Sequence, residues 1–347
     1  MTAKPGPTLQ SVARQAGVSP STVSRALRGH PLLNADTIRR IRELAASVGY
    51  RANPVISDVM RRVRQRGRPN NLGTIAYLTL HDTRDGWRAN PTYRDFHAGA
   101  ARRAADLGFA LELIWARQPH LEARRLTQIL LSRGITGVIA GPRPRPFGGN
   151  LLDWSQFSGA VLGMPLRGLA HHRAGSFHAQ TMEHLLSVLA SRGYRRPGLA
   201  LTAPQARSTD PGWLAAWTHH QQALPPGRRV PLLVLETLQE VRFARWWRRH
   251  RPDVVIGLQD EFIPWLGRLG QRVPDDVGYA RLSRPPDPNA PAGMDQFPTA
   301  IGAAAVDLVT NQILAGERGL PATPRSLLIT GRWCDGWSVR APAASVA

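Results

Sequence analysis

The chain has 347 residues, 42% apolar and 20% charged, which allows more than one packed domain and excludes wholesale disorder. Lys plus Arg number 45 against 24 Asp plus Glu, a formal net charge of +21 that favours a polyanionic partner. A single cysteine, Cys334, and no run of about 18 apolar residues exclude an intrachain disulfide framework, a multi-cysteine metal site and a membrane-spanning helix.

Met1–Pro7 carries no apolar stretch behind Lys4, so no secretory signal is expected and the chain reads as cytoplasmic, with no membrane partner. Residues 1–71 hold 13 basic and 3 acidic residues, a net of +10; the other 276 hold 32 and 21, a net of +11. Nearly half of the excess charge therefore sits in a fifth of the chain, which marks an electrostatic module. Three helices are predicted in it. Thr8 is placed to cap Leu9–Ala16, where Leu9, Val12, Ala13 and Ala16 share one apolar face. Gly17 suits a left-handed position after that helix. Ser19 caps a second helix with Pro20 in its first turn, carrying Val23, Ala26 and Leu27 on one face and Ser21, Thr22, Ser24 and Arg25 on the others. A third starts at Asn34, carries Ile38, Ile41, Leu44, Ala45 and Val48, and ends at Gly49. Two helices joined by a short Gly-containing turn and braced by a third describe an all-α helix-turn-helix. Its second helix offers hydroxyls for phosphates and Arg25 for guanine O6 and N7.

The run TLQSVARQAGVSPSTVSRAL, followed by NADTIRRIRELAASVGYRANP, resembles the headpiece of the lactose-repressor (LacI/GalR) family of bacterial transcription regulators. The resemblance covers residues 8–60, with 8–53 as a DNA-binding headpiece, and 54–71 reads as a hinge helix and linker. It implies base contacts from Pro20, Ser21 and Arg25. It also implies phosphate contacts from Thr8, Ser19, Thr22, Ser24, Asn34, Thr37, Tyr50 and Asn53. In the family an apolar hinge residue wedges into the minor groove; the matching position here is Val59, with Ile56 one turn earlier and Met60 beside it. Pro20 cannot hydrogen-bond a base edge, which shifts readout toward Arg25 and Ser21. Arg61, Arg62, Arg64, Arg66 and Arg68 follow in a linker, either solvated or beside phosphates.

From residue 72 short apolar strands alternate with helical periods. Strands are predicted at 72–80, 110–115, 137–140, 160–163, 198–201, 232–235 and 254–258, and helices at 96–107, 121–133, 181–192 and 301–315. This alternation describes parallel sheets covered on both faces, and some 270 residues of it call for two α/β lobes. The family resemblance implies a periplasmic-binding-protein-like core: one lobe of 72–163 plus 297–325, the other of 164–293 plus 326–340. The chain would cross between them near Met164–Arg167, Met294–Phe297 and Arg325–Ile329.

Open parallel sheets bind ligands beyond the carboxyl ends of their strands. That places Thr79–Asp82, Arg143, Arg145, Thr202–Arg207, Gln259–Asp260 and Tyr279–Arg281 at a site, with Trp87, Tyr93, Trp213 and Trp217 on nearby connections. Aromatic faces beside planar polar groups suit a sugar, although each aromatic taken alone is more often core or surface packing. By resemblance Gln259, Asp260 and Gln296 match polar positions of the family's site, so the effector-site set is Asp82, Trp87, Arg143, Arg207, Trp213, Gln259, Asp260 and Gln296. The chain departs from the pattern where Gly278-Tyr279 runs into Ala280-Arg281, where Trp213 replaces an arginine, and where Gly193 is followed by Tyr194.

No phosphate-binding glycine loop, zinc-protease motif or nucleophile elbow is present, and no catalytic residue, metal ligand or cofactor is assigned. The His171-His172 and His219-His220 doublets read as surface histidines. The tail after Trp337 has no leucine heptads, so a tetramerising coiled coil is not expected. The composite expectation is a homodimeric, ligand-responsive repressor on pseudo-palindromic operator DNA, with a carbohydrate effector. The competing class is a cytoplasmic sugar-binding receptor without specific DNA function, which a shallow salt dependence of DNA binding would favour.

Overall fold

The structure, a computed structural model, describes residues 9–19, 22, 23, 26, 33–48, 72–142, 151–163, 170–208 and 211–341. The chain divides into two compact units, Met1–Asn70 and Asn71–Ala347.

In the small unit α1 spans Leu9–Ala16 and α2 spans Ala35–Ser47, with Thr22, Val23 and Ala26 helical between them. Val12, Ala13, Val23, Ala26, Ile41 and Ala45 form its core, the positions that the 3.6-residue spacing brings to common faces. After α1 the backbone turns at Gly17, whose φ of +66° is the left-handed conformation glycine adopts freely, and the Val18 N–H donates back to the Ala13 carbonyl at 3.1 Å. Ser19 Oγ then accepts the Thr22 N–H at 3.1 Å, an N-cap bond, and Asn34 Oδ1 accepts the Asp36 N–H at 3.0 Å to start α2.

The large unit is built as β1 (Thr74–Thr79), α3 (Pro91–Asp106), β2 (Ala110–Trp115), α4 (Ala123–Ser132), β3 (Gly137–Ala140), β4 (Ser158–Leu162) and β5 (His172–Ser176). It continues with α5 (His178–Ser191), β6 (Pro197–Thr202), α6 (Ala203–Ser208), α7 (Gly212–Ala223), β7 (Leu233–Leu235), α8 (Glu240–His250), β8 (Val254–Gly257), α9 (Phe262–Arg268), β9 (Gly278–Arg281) and β10 (Gly293–Asp295). α10 (Pro298–Ala315), β11 (Ser326–Ile329) and β12 (Arg332–Cys334) complete it. Two six-stranded sheets result, ordered β11-β5-β4-β3-β1-β2 and β12-β10-β9-β8-β6-β7. All pairs are parallel except β10 with β12. Central strands such as β3 and β6 are buried at every position, as a sheet covered on both faces requires.

α3 and α10 pack across one face of the first sheet, and the approach depends on two glycines. A Cβ on Gly99 would lie 1.9 Å from the Thr299 carbonyl oxygen, and one on Gly302 would lie 1.9 Å from that of Phe96. Only hydrogen fits at either crossing point.

Lobe boundaries differ from those expected. β5 pairs with β4, and β11 pairs with β5, so 172–176 and 326–329 belong to the first lobe. The chain first crosses after Ser176, next between Asp295 and Pro298, and last between Ile329 and Arg332. The segment His172-Arg173-Ala174-Gly175-Ser176 lacks the apolar run that signals a buried strand, so its place in the sheet was illegible. His171 and His172 are not surface residues: each is only 5% exposed. His171 packs edge-on against Trp154 with ring centroids 4.1 Å apart, and His172 Nδ1 accepts the Arg325 N–H at 3.0 Å.

Candidate functional site

Of the residues assigned to DNA, Ser19, Thr22, Asn34 and Thr37 are described. Ser19 and Asn34 are exposed and Thr22 and Thr37 half-buried. Ser19 Oγ and Thr22 Oγ1 lie 2.8 Å apart, so the two hydroxyls form one polar spot at the start of the second helix. Thr8, Pro20, Ser21, Ser24, Arg25, Tyr50, Asn53, Ile56 and Val59 lie outside the described residues, as does the linker to residue 71.

In the large unit a cleft of about 1330 Å³ opens between the two sheets. Its walls come from the carboxyl ends of strands of both sheets, where a parallel architecture leaves polar loop residues facing a gap. The first lobe contributes His81 after β1, Tyr93 at the start of α3 and Ser176 at the end of β5; the second contributes Gln205, Trp213, Gln259 and Arg281. Gln296 lines it at the second crossing and His178 just after the first.

Three of these groups hold buried polar atoms that meet no hydrogen-bond partner among the described residues: His81 Nδ1, Trp213 Nε1 and Gln296 Oε1. An unsatisfied buried donor or acceptor costs about 1–3 kcal/mol, so a hydroxylated ligand that completes these bonds is stabilised by relief of that penalty. The other end of Gln296 is fixed, its Nε2 donating to the Leu282 carbonyl at 2.5 Å. Burial holds His81 below the ordinary histidine value, against the opposing Asp82 charge and with Arg117 adding to the fall, so the ring is neutral near pH 7. Burial likewise raises the Tyr93 hydroxyl, which stays protonated. Trp213 packs against His178 with centroids 4.3 Å apart and the rings tilted by 50°, giving that wall a half-apolar face.

Arg281 occupies the strand-end position after Gly278-Tyr279-Ala280. It pairs with Asp260 at 2.5 Å and donates to the Leu258 and Ser283 carbonyls at 3.1 Å each. The cleft therefore presents a neutralised carboxylate–guanidinium pair rather than a lone acid. Asp95, on α3, and Asp295, at the end of β10, both line the cleft; burial pushes the Asp95 carboxyl above the usual range against the opposing charge of Arg94, with the Asp295 charge adding to the rise.

Of the expected effector set, Trp213, Gln259 and Gln296 line the cleft and Asp260 meets it through Arg281. Asp82 and Trp87 do not line it. Asp82 turns to Arg117 at 2.9 Å, while Trp87 is buried in a 3-10 turn with its ring 5.1 Å from that of His97. An indole in a tight turn beside a sheet gains more from burial than from a solvent-filled gap. Arg143 and the side chain of Arg207 lie outside the described residues. His178 and Arg173 were missed as lining residues because β5, which positions both, gave no strand signal. Among the described residues no helix is long and apolar enough to cross a membrane, and no cluster of three or more His, Cys, Asp or Glu could hold a metal ion.

Residues 8–53 match the family model "Bacterial regulatory proteins, lacI family". The chain is 23% identical over 132 residues to the HTH-type transcriptional regulator MalR of Streptococcus pneumoniae, an alignment spanning 38% of each protein, well short of the relative's full length. In fold it is similar to the transcriptional regulator CelR in complex with cellobiose, with TM-score 0.55 and 19% identity over 96% of this chain and 99% of the other. It is similar too to the Lac repressor dimer bound to operator and the anti-inducer ONPF, with TM-score 0.54 and 18% identity over 97% and 100%. These relatives are regulators rather than enzymes. Residues 8–53 therefore carry a lacI-family helix-turn-helix domain, and the larger unit shares the fold of these regulators.

Proposed function

We propose that the protein is a ligand-responsive transcription regulator, acting as a repressor that binds a pseudo-palindromic operator as a homodimer. The reading places Arg25 and its hydroxyl-bearing neighbours on base edges and phosphates, and a carbohydrate in the interlobe cleft. One observation carries it: a helix-turn-helix unit shares a chain with a two-lobed unit whose cleft holds three unsatisfied buried polar atoms. One recognition helix reads only a few base pairs, so two half-sites are needed for useful specificity, which supports a symmetric pair. Cellobiose in CelR supports a sugar as effector.

The mechanism is linkage. A ligand bonded to both walls favours the closed arrangement of the lobes, and the difference in operator affinity between the two arrangements is the coupling free energy. The operator must then change ligand affinity by the same factor. The test is a thermal-shift screen of the full chain against mono- and oligosaccharides, followed by footprinting with and without any hit. A protected inverted repeat that responds to the hit is expected. Absence of a protected repeat under every condition would remove the DNA half of the reading, and no stabilising sugar would remove the effector half.

A further inference from the structure

Three loops enter the second sheet at adjacent strands, at the end opposite the cleft. They lead into β6, β7 and β8, which are neighbours in the order β8-β6-β7. With the helix ends that feed them, these connections span 190–198, 224–232 and 245–253, the last including the C-terminal end of α8, and together hold nine arginines and one acid, Asp253. Arg192 pairs with Asp335; none of the other eight forms an ion pair among the described residues. Arg195, Arg228, Arg229, Arg245, Arg248, Arg249 and Arg251 are all exposed.

The loops are tied into one surface by backbone bonds, which leave the charge uncancelled. Arg196 donates to the carbonyls of Gly227 and His250, joining all three loops through one guanidinium. Arg229 donates to the Leu224 and Gln222 carbonyls at 2.8 and 3.0 Å. Arg251 lies over the Trp247 ring at 4.4 Å. Asp253 uses its carboxylate on the backbone N–H groups of Arg195 and Arg196 and so fixes the turn. Burial, with Arg249 and Arg196 nearby, lowers His250 below the ordinary histidine value, as a local excess of positive charge does.

Overall composition does not explain the cluster. Windows of the same length leading into β2 and β3 of the first lobe, 101–109 and 128–136, hold three arginines, of which Arg103 pairs with Asp307 and Arg133 with Glu112. In the second sheet itself, the loop into β9 is neutralised locally, Arg272 holding Asp275 and Asp276. The recess in this face, between Leu186, Leu189 and Leu224, measures about 80 Å³, too small for a nucleotide or sugar phosphate. The ligand that suits an array with no pocket is an extended polyanion. Strands about 4.8 Å apart spread three loops over about 10 Å, the rise of about three phosphates along one DNA strand.

We propose that this arginine-rich end of the second lobe is a second, sequence-independent contact for the backbone of duplex DNA. It goes beyond the operator reading and does not depend on it. One protein would thereby hold a second DNA segment without a tetramerising element.

The test is arginine-specific dicarbonyl modification of the full chain, mapped by mass spectrometry, at low salt. Its arms are no addition, excess random-sequence duplex, and inorganic phosphate. Protection of Arg228, Arg229 and Arg249 by duplex but not by phosphate is expected. Equal modification in all arms overturns the proposal, and equal protection by phosphate overturns it as an adventitious ion only. Failure of the operator reading shows separately, as the absence of any protected inverted repeat in footprinting. The triple variant Arg228→Ser/Arg229→Ser/Arg249→Ser, checked for an unchanged melting temperature without DNA, should reduce the slope of log K against log salt by about 2–3, at about 0.9 per phosphate. An unchanged slope also overturns it.

Discussion

The guanidinium of Arg281 meets the carboxylate of Asp260 at 2.5 Å, at the ends of β9 and β8. Arg281 is largely enclosed while Asp260 is half exposed, so the acid offsets the Arg281 charge at the second wall of the cleft. Asp260→Ala leaves an uncompensated cation beside the ligand. A neutral sugar that stabilises the parent protein should bind the variant at least about tenfold more weakly, about 1.4 kcal/mol. Calorimetry on the full chain checks this, and an unchanged Kd would place the sugar away from this pair.

Gly302 lets α10 cross α3 at backbone contact, since a Cβ there would sit 1.9 Å from the Phe96 carbonyl oxygen. Gly302→Ala must push the helices apart and should destabilise the large unit by about 1–3 kcal/mol. A lower urea midpoint is the expected result. An unchanged midpoint would mean that the two helices can part without loss of packing.

His172 carries a bond that protonation destroys, because its Nδ1 accepts the Arg325 N–H. Burial first, and the nearby Arg325 charge second, hold its folded pKa below the ordinary histidine value, with Glu317 opposing. A depressed folded pKa means that the contribution is complete above about 6.5 and is lost as pH falls through the folded value. Melting temperature should therefore drop on acidification in the parent, and the drop should shrink in His172→Gln. Parallel profiles would show that His172 does not titrate with unfolding.

Asp95 has the opposite sign. Its folded pKa is raised by burial, with Asp295 adding to the rise and Arg94 opposing it. Stability linked to the protonated form is present below the unfolded value and lost as pH rises through the folded one. Asp95→Asn should raise the melting temperature at neutral pH, and the gain should vanish in acid. A gain that persists in acid would point to packing rather than charge.

Arg25→Ala should cost about 1–3 kcal/mol of operator binding while leaving non-specific binding nearly intact. Binding isotherms on operator and random duplexes give both values. Equal losses on the two would make Arg25 a phosphate contact.

Short-range periodicity was enough for much of this protein. The apolar spacing of Val12, Ala13, Val23, Ala26, Ile41 and Ala45 foretold a three-helix core, and the runs at 74–79, 110–115 and 137–140 foretold parallel strands, because burial on one helix face or both sheet faces writes a repeat into the chain. Gln259 was legible because it follows a predicted strand, whereas Gln296 was legible only through the family resemblance. Other features have no local mark. β5 and β11 carry little apolar pattern, and their lobe follows from pairing partners distant in the chain. Trp87 and Trp213 look alike in sequence, yet one fills a turn and the other walls the cleft, because side-chain surroundings are set by what packs opposite. The arginine-rich segments leading into β6, β7 and β8 precede strands that start at Pro197, Leu233 and Val254 and become one charged surface only when those strands lie side by side.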